Sequence, residues 1–126
     1  MASAIQDNDS LGRFIFSSAH FSRQNKRVKH NAFMPASNGK VSMFNITGMQ
    51  AAECWAVGAE VATTRQQTLY ARADLLALIA RRQSLDVISD EPPPRHANIV
   101  GWPPDKDAQK LIAMELAESA ELVLKP

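Results

Sequence analysis

A chain of 126 residues and 13.8 kDa, 45% hydrophobic and 21% charged, has the size and composition of one compact domain. These values exclude disordered, collagen-like and disulfide-scaffold classes, and a core burying roughly two-thirds of the unfolded surface is available. Fourteen basic side chains against thirteen acidic ones leave a net charge of +1, so only local clustering can produce a strong field. Six basic residues (Arg13, Arg23, Lys26, Arg27, Lys29 and Lys40) stand between positions 13 and 40 without one acid, whereas positions 51–126 hold eight basic and eleven acidic residues.

The longest uncharged stretch, Val41 to Ala52, is far short of the roughly 20 apolar residues of a membrane helix. Asp7 and Asp9 precede the first basic residue, Arg13, the reverse of a secretory leader. The single cysteine, Cys54, forms no internal disulfide. The expectation is a cytoplasmic protein with no membrane segment.

In chain order, residues 1–10 are small and polar and read as a flexible tail, with one α+β domain over 11–126. Positions 13–22, 27–34 and 40–46 read as three strands of a meander, parted by Arg-Gln-Asn-Lys and by Pro-Ala-Ser-Asn-Gly, which carries turn chemistry. Phe14 and Phe16 share one face of the first strand, and Val28, Ala32 and Met34 one face of the second. Bringing both sets to one side requires even-to-even pairing, which sets Phe16 opposite Met34 and His20 opposite His30. Thr47 with Gln50 has the form of a capping box, and Cys54, Val57, Gly58 and Val61 follow at helical spacing, predicting a helix over 49–63. A second helix is read over 71–82, with Leu75, Leu78 and Ile79 inward, and a short strand over 84–89. Pro92, Pro93 and Pro94 hold the chain extended, a strand over 97–102 follows, and Pro103 and Pro104 lead into a last helix from about Asp105 to Leu122. The fold class is α+β: a mainly antiparallel sheet with an N-terminal three-stranded meander packed against about three helices.

Three clusters carry candidate chemistry. Arg23, Lys26, Arg27 and Lys29 on the first hairpin offer cations to phosphates, with Phe21 and Phe33 as stacking platforms; the competing reading is a solvated hairpin answering the acidic helices. His20 and His30, with His96 as a third, lack the short paired spacing of a metal site, and neither metal nor cofactor is assigned. Arg95, His96 and Asn98, followed by Trp102, Lys106 and Lys110 at the start of the last helix, combine a guanidinium, an imidazole and free backbone amides, the parts of an anion site. The competing reading is a rigid crossover in which Arg95 pairs with Asp90 or Glu91 and Trp102 fills the core. Cys54 reads as a buried apolar residue rather than a nucleophile. No phosphate loop, nucleophile elbow or His-Glu-x-x-His motif occurs.

The leading expectation is a small non-catalytic binding protein for an anionic ligand: nucleic acid, nucleotide or an acidic protein partner. The rivals are an enzyme on a phosphorylated or nucleotide substrate, using His96 or the His20/His30 pair for proton transfer, and an interaction subunit that homo-oligomerises through a sheet edge or the Ala-rich last helix.

Overall fold

The computed structural model describes residues 4–126 and is a mixed α+β domain. Its strands are β1 (Ser10–Ile15), β2 (Phe21–Ser22), β3 (Arg27–Val28), β4 (Val41–Asn45), β5 (Ala71–Leu76), β6 (Asp86–Ser89), β7 (His96–Val100) and β8 (Glu121–Leu124); its helices are α1 (Ala51–Arg65), α2 (Ala77–Arg82) and α3 (Lys106–Ser119). Six strands form one antiparallel sheet in the order β6-β7-β4-β1-β5-β8, and β2 pairs with β3 in a separate ribbon. No helix among the described residues is long and apolar enough to cross a membrane.

Both sheet faces are covered, which explains the near-continuous burial of the central strands. One face presents Leu11, Ile15, Val41, Met43, Ala73 and Ile99 to a core completed by Ala113, Leu116 and Ala117 of α3 and by Phe33 from a 3₁₀ turn, His30–Phe33. The other presents Phe14 and Phe44, whose rings meet at 5.5 Å, to Cys54 and Ala62 of α1. The small residues of α3 are thus consumed by the domain's own core.

The antiparallel sheet and three helices match the sequence expectation, but several elements differ in detail. The middle segment of the expected meander does not enter the main sheet: only Arg27–Val28 is strand, and β1 lies directly beside β4. The hairpin register is one residue away from even-to-even, with Phe21 opposite Val28 and Ser22 opposite Arg27. Both Phe21 and Val28 are buried, and their shared anchoring to the core decides the register. His20 and His30 consequently end in separate 3₁₀ turns, Ser18–His20 and His30–Phe33.

Residues 71–76 are strand, not helix. β1 pairs with β5 along its whole length, from Ser10 opposite Leu76 to Ile15 opposite Ala71. Ala71, Ala73 and Leu75 fill the core on one face, while Arg72 and Asp74 form a bidentate pair on the other at 2.7 and 2.9 Å, with Trp55 stacked 4.9 Å from the guanidinium. Strong helix formers are overridden by a central sheet position that needs this alternation. The final strand, β8, was masked by the helical stripe before it.

Residues 4–10 of the expected tail are docked, while residues 1–3 lie outside those described. Ile5 is buried, Arg81 holds Asp7 at 2.7 Å and the Ile5 carbonyl at 2.8 Å, and the carbonyls of Asp9 and Asp7 accept the first two backbone amides of α2 at 3.0 Å each. The cap of α1 also shifts. Gln50 takes the N-cap position, its backbone amide donating to Glu53 at 3.2 Å. Thr47 instead accepts the Ser10 amide at 2.8 Å, fixing the entry to β1.

Gly58 faces Phe14, where an added Cβ would stand 2.6 Å from the ring and 2.9 Å from Leu69. Gly58→Ala gains helix propensity of about 1 kcal/mol, yet overpacking a buried ring costs about 1–3 kcal/mol. Thermal denaturation is expected to show a lower melting temperature; an unchanged or raised value would show that α1 can slide off the sheet.

Candidate functional site

The site starts from a break in the sheet ladder. Between β1 and β4 the pairs Leu11–Asn45 and Gly12–Phe44 are formed, and continuing them would set Ser42 opposite Phe14. That pair is not made. Instead the Arg13 guanidinium donates from Nη1 to the Ser42 carbonyl at 2.9 Å and from Nε to the Ala32 carbonyl at 3.0 Å. β1 continues only with β5 and β4 only with β7, so the sheet is split at this end and a cleft opens over the split.

Beside the gap, β4 and β7 remain in register, with Ser42 opposite Asn98 and Phe44 opposite His96. Ser42 and His96 are therefore diagonal neighbours on one face, and Ser42 Oγ lies 2.7 Å from His96 Nε2. His96 Nδ1 lies 2.9 Å from the Asp90 carbonyl oxygen. A carbonyl can only accept, so Nδ1 carries a proton; in the neutral ring Nε2 is then the acceptor for the Ser42 hydroxyl. The Asp90 carboxylate stands 3.6 Å from Nδ1 and is held by Asn98 Nδ2 at 2.7 Å. The Phe44 ring meets the imidazole edge-on at 5.3 Å.

Two cavities adjoin here and share Ser42, Arg65 and His96 in their walls. One, of about 360 Å³, is polar and carries Arg13, Lys40 and Arg65 with the single carboxylate of Asp90. The other, of about 560 Å³, is faced by Phe44, Val57, Val61, Pro93 and Pro94, with Glu60 and Thr64 on its α1 wall. Burial, together with the charge of Arg65, lowers the Arg13 guanidinium to about 10, which leaves it cationic at neutral pH. Arg65 is exposed and stacks 5.4 Å from the Phe16 ring.

Of the residues expected to bind anions, His96 and Asn98 lie in this cleft. Arg95, with φ 69°, turns its guanidinium to the carbonyls of Asn45 and Thr47, both at 3.0 Å, and its backbone amide donates to Glu91 at 2.5 Å. Trp102 donates to the Ile99 carbonyl at 3.2 Å and packs on the core, beyond the opposite end of β7 from His96. Lys106, at the first position of α3, lies past Trp102, so the helix amides and His96 do not form one anion site. Arg23, Lys26, Arg27 and Lys29 are exposed on the hairpin, where Arg27 and Lys29 line a separate cavity of about 440 Å³ against Met114 of α3. The expected stacking platforms are lost, since Phe21 and Phe33 are buried. Cys54 is buried, which pushes its thiol up from the ordinary value. Among the described residues no group of three His, Cys, Asp or Glu side chains is arranged for a metal.

Arg13, Ser42, Arg65 and Lys40 were missed as site residues. Two signals pointed toward them: Ser42 and Phe44 share a face in an alternating strand, as do His96 and Asn98. The partnership between the two strands, which makes the site, is a long-range pairing with no local signature.

Arg95 is thus a strap joining the proline loop to the end of β4. Arg95→Ala is expected to cost about 1–2 kcal/mol, reduced from the full charge-assisted value because the side chain is exposed, and to leave anion affinity unchanged. A melting curve beside a phosphate titration checks this; weakened binding without loss of stability would return Arg95 to the site. No protein-family model matches the chain, and neither curated proteins nor solved structures provide a match.

Proposed function

We propose that the cleft binds a small organic anion, its charged group among Arg13, Lys40 and Arg65 and its apolar part against Phe44, Val57, Val61 and the proline loop. The supporting observation is the contrast between two arginines in adjacent strands. Arg72 is matched by a bidentate carboxylate, although its buried Nη1 has no partner, whereas the acceptors of Arg13 among the described residues are the backbone carbonyls of Ala32 and Ser42. A half-buried guanidinium facing a second cation, with no carboxylate within 4.0 Å among the described residues, is electrostatically incomplete, and an anion between the two relieves both desolvation and repulsion. The cavity volumes fall in the small-molecule range and suit a compact ligand better than a polymer backbone.

Isothermal titration with phenyl phosphate as the probe tests the proposal. The wild type is expected to bind it more tightly than inorganic phosphate, because only the former reaches the apolar cavity. Arg65→Gln should weaken binding at least tenfold, about 1.4 kcal/mol, while the double change Arg27→Ala and Lys29→Ala on the hairpin should leave it unaltered. Absence of heat and of chemical-shift change at millimolar probe, or equal loss from the hairpin variant, would overturn the cleft as the anion site.

A further inference from the structure

We infer that Ser42 is an activated nucleophile, with His96 as its general base, and that the cleft hydrolyses carboxylic esters bearing an anionic group. The substrate class rests on the binding role proposed above; the Ser42–His96 pair rests on its own geometry. A serine is a weak nucleophile until a base takes its proton, and such pairs are recognised by a hydroxyl within hydrogen-bond reach of a base that a third group orients. Here the hydroxyl–imidazole distance is 2.7 Å, and the orienting contact, Nδ1 to the Asp90 carbonyl at 2.9 Å, selects the tautomer that leaves Nε2 free to accept. The Asp90 carboxylate, 3.6 Å from Nδ1, favours the imidazolium once the proton has moved, and Asn98 keeps that carboxylate in place.

The position of the pair matches its chemistry. Ser42 and His96 sit where the polar and apolar cavities meet, so an ester spanning both places its carbonyl carbon at the junction. Ser42 Oγ bonds to that carbon as its proton passes to His96 Nε2, and the electron pair of the C=O bond moves onto oxygen beside the cations Arg13 and Arg65. Collapse of this intermediate breaks the bond to the alkoxy group, which leaves as the alcohol with the proton from His96. A water molecule, deprotonated by the same nitrogen, then attacks the acyl-serine and releases the carboxylic acid, returning the proton to Ser42. Arg13 and Arg65 share the wall of a narrow recess with Ser42, which puts positive charge where the oxyanion develops.

A neutral alkyl fluorophosphonate tests the pair without needing the anion cavity: Ser42 Oγ bonds to phosphorus, fluoride leaves, and His96 takes the proton. Intact-protein and peptide mass spectrometry should show one adduct, on Ser42. Ser42→Ala, checked for a wild-type melting curve, should give none, and His96→Gln should slow labelling by roughly 100-fold or more. No adduct on the wild type, or an adduct that persists in Ser42→Ala, overturns the inference. A second arm compares mono-(4-nitrophenyl) succinate with 4-nitrophenyl acetate. Turnover at least tenfold faster for the anionic ester, lost in Arg65→Gln, supports the substrate class; equal rates on a protein that labels at Ser42 overturn the anionic preference and leave the nucleophile standing.

Discussion

The guanidinium of Arg13, wedged where β1 and β4 part, is the constraint on which the site depends. An antiparallel ladder that has begun to pair normally continues, since each further pair satisfies backbone groups already aligned. Here it stops after Gly12–Phe44, and the carbonyl that the next pair would have used is taken by a side chain. That exchange leaves the Ser42 carbonyl satisfied while holding the strands apart. The cation meets a cost of burial, visible in its lowered pKa, and carbonyl oxygens offset only part of it. What the split provides is room: a cleft floored by sheet and walled by α1 and the proline loop.

The arrangement of Ser42 and His96 follows from the intact pairing on the other side of β4. With β4 and β7 in register, residues on one face recur in step, and Ser42, Phe44, His96 and Asn98 lie together without any loop having to place them. A site built on paired strands is held more rigidly than one carried by loops. The turn between β6 and β7 contributes through its main chain. Asp90 accepts from the imidazole through its carbonyl, while its own amide donates to the His96 carbonyl at 2.8 Å, so the loop and the histidine brace each other. Asn98, buried at 3% exposure, ties the Asp90 carboxylate to the same strand.

Much of the architecture was legible because it is written in local periodicity. Cys54, Gly58 and Val61 marked α1, the prolines marked the crossover, and Asp105 marked the start of α3, where its carboxylate accepts the Ala108 amide at 2.9 Å. The failures have physical causes. Ala71–Leu76 consists of good helix formers and becomes a strand because both its neighbours are strands that need partners. The hairpin register is one residue away from the expected one because Phe14 packs into the core on the α1 face, whereas Phe21 and Val28 pack together into the core on the other. The candidate site was half visible: His96 and Asn98 were selected as polar groups beside a rigid proline segment that also holds their partner Asp90, but Ser42 arrives from 54 residues before His96.

The two arginine arrangements also explain how a sheet with charge inside it can remain a folded domain. Arg72 is paired with Asp74 and stacked on Trp55, its Nη1 buried without a partner, and Gly12, opposite Asp74, provides the space, since a Cβ there would lie 3.1 Å from the Arg72 side chain. That charge is balanced within the fold and stabilises the side of the sheet where β1, β5 and β8 pair without interruption. Arg13 has carbonyl partners and, among the described residues, no carboxylate within 4.0 Å, with a second cation in the same wall at the place where the ladder is broken. An apolar residue there would avoid the desolvation cost, because replacing a partly buried charge that lacks a carboxylate partner by a well-packed apolar side chain is commonly neutral or stabilising. The carboxylate-paired arginine stands where the ladder is continuous and the carbonyl-bound one where it is broken, and this contrast is what the proposed anion site rests on.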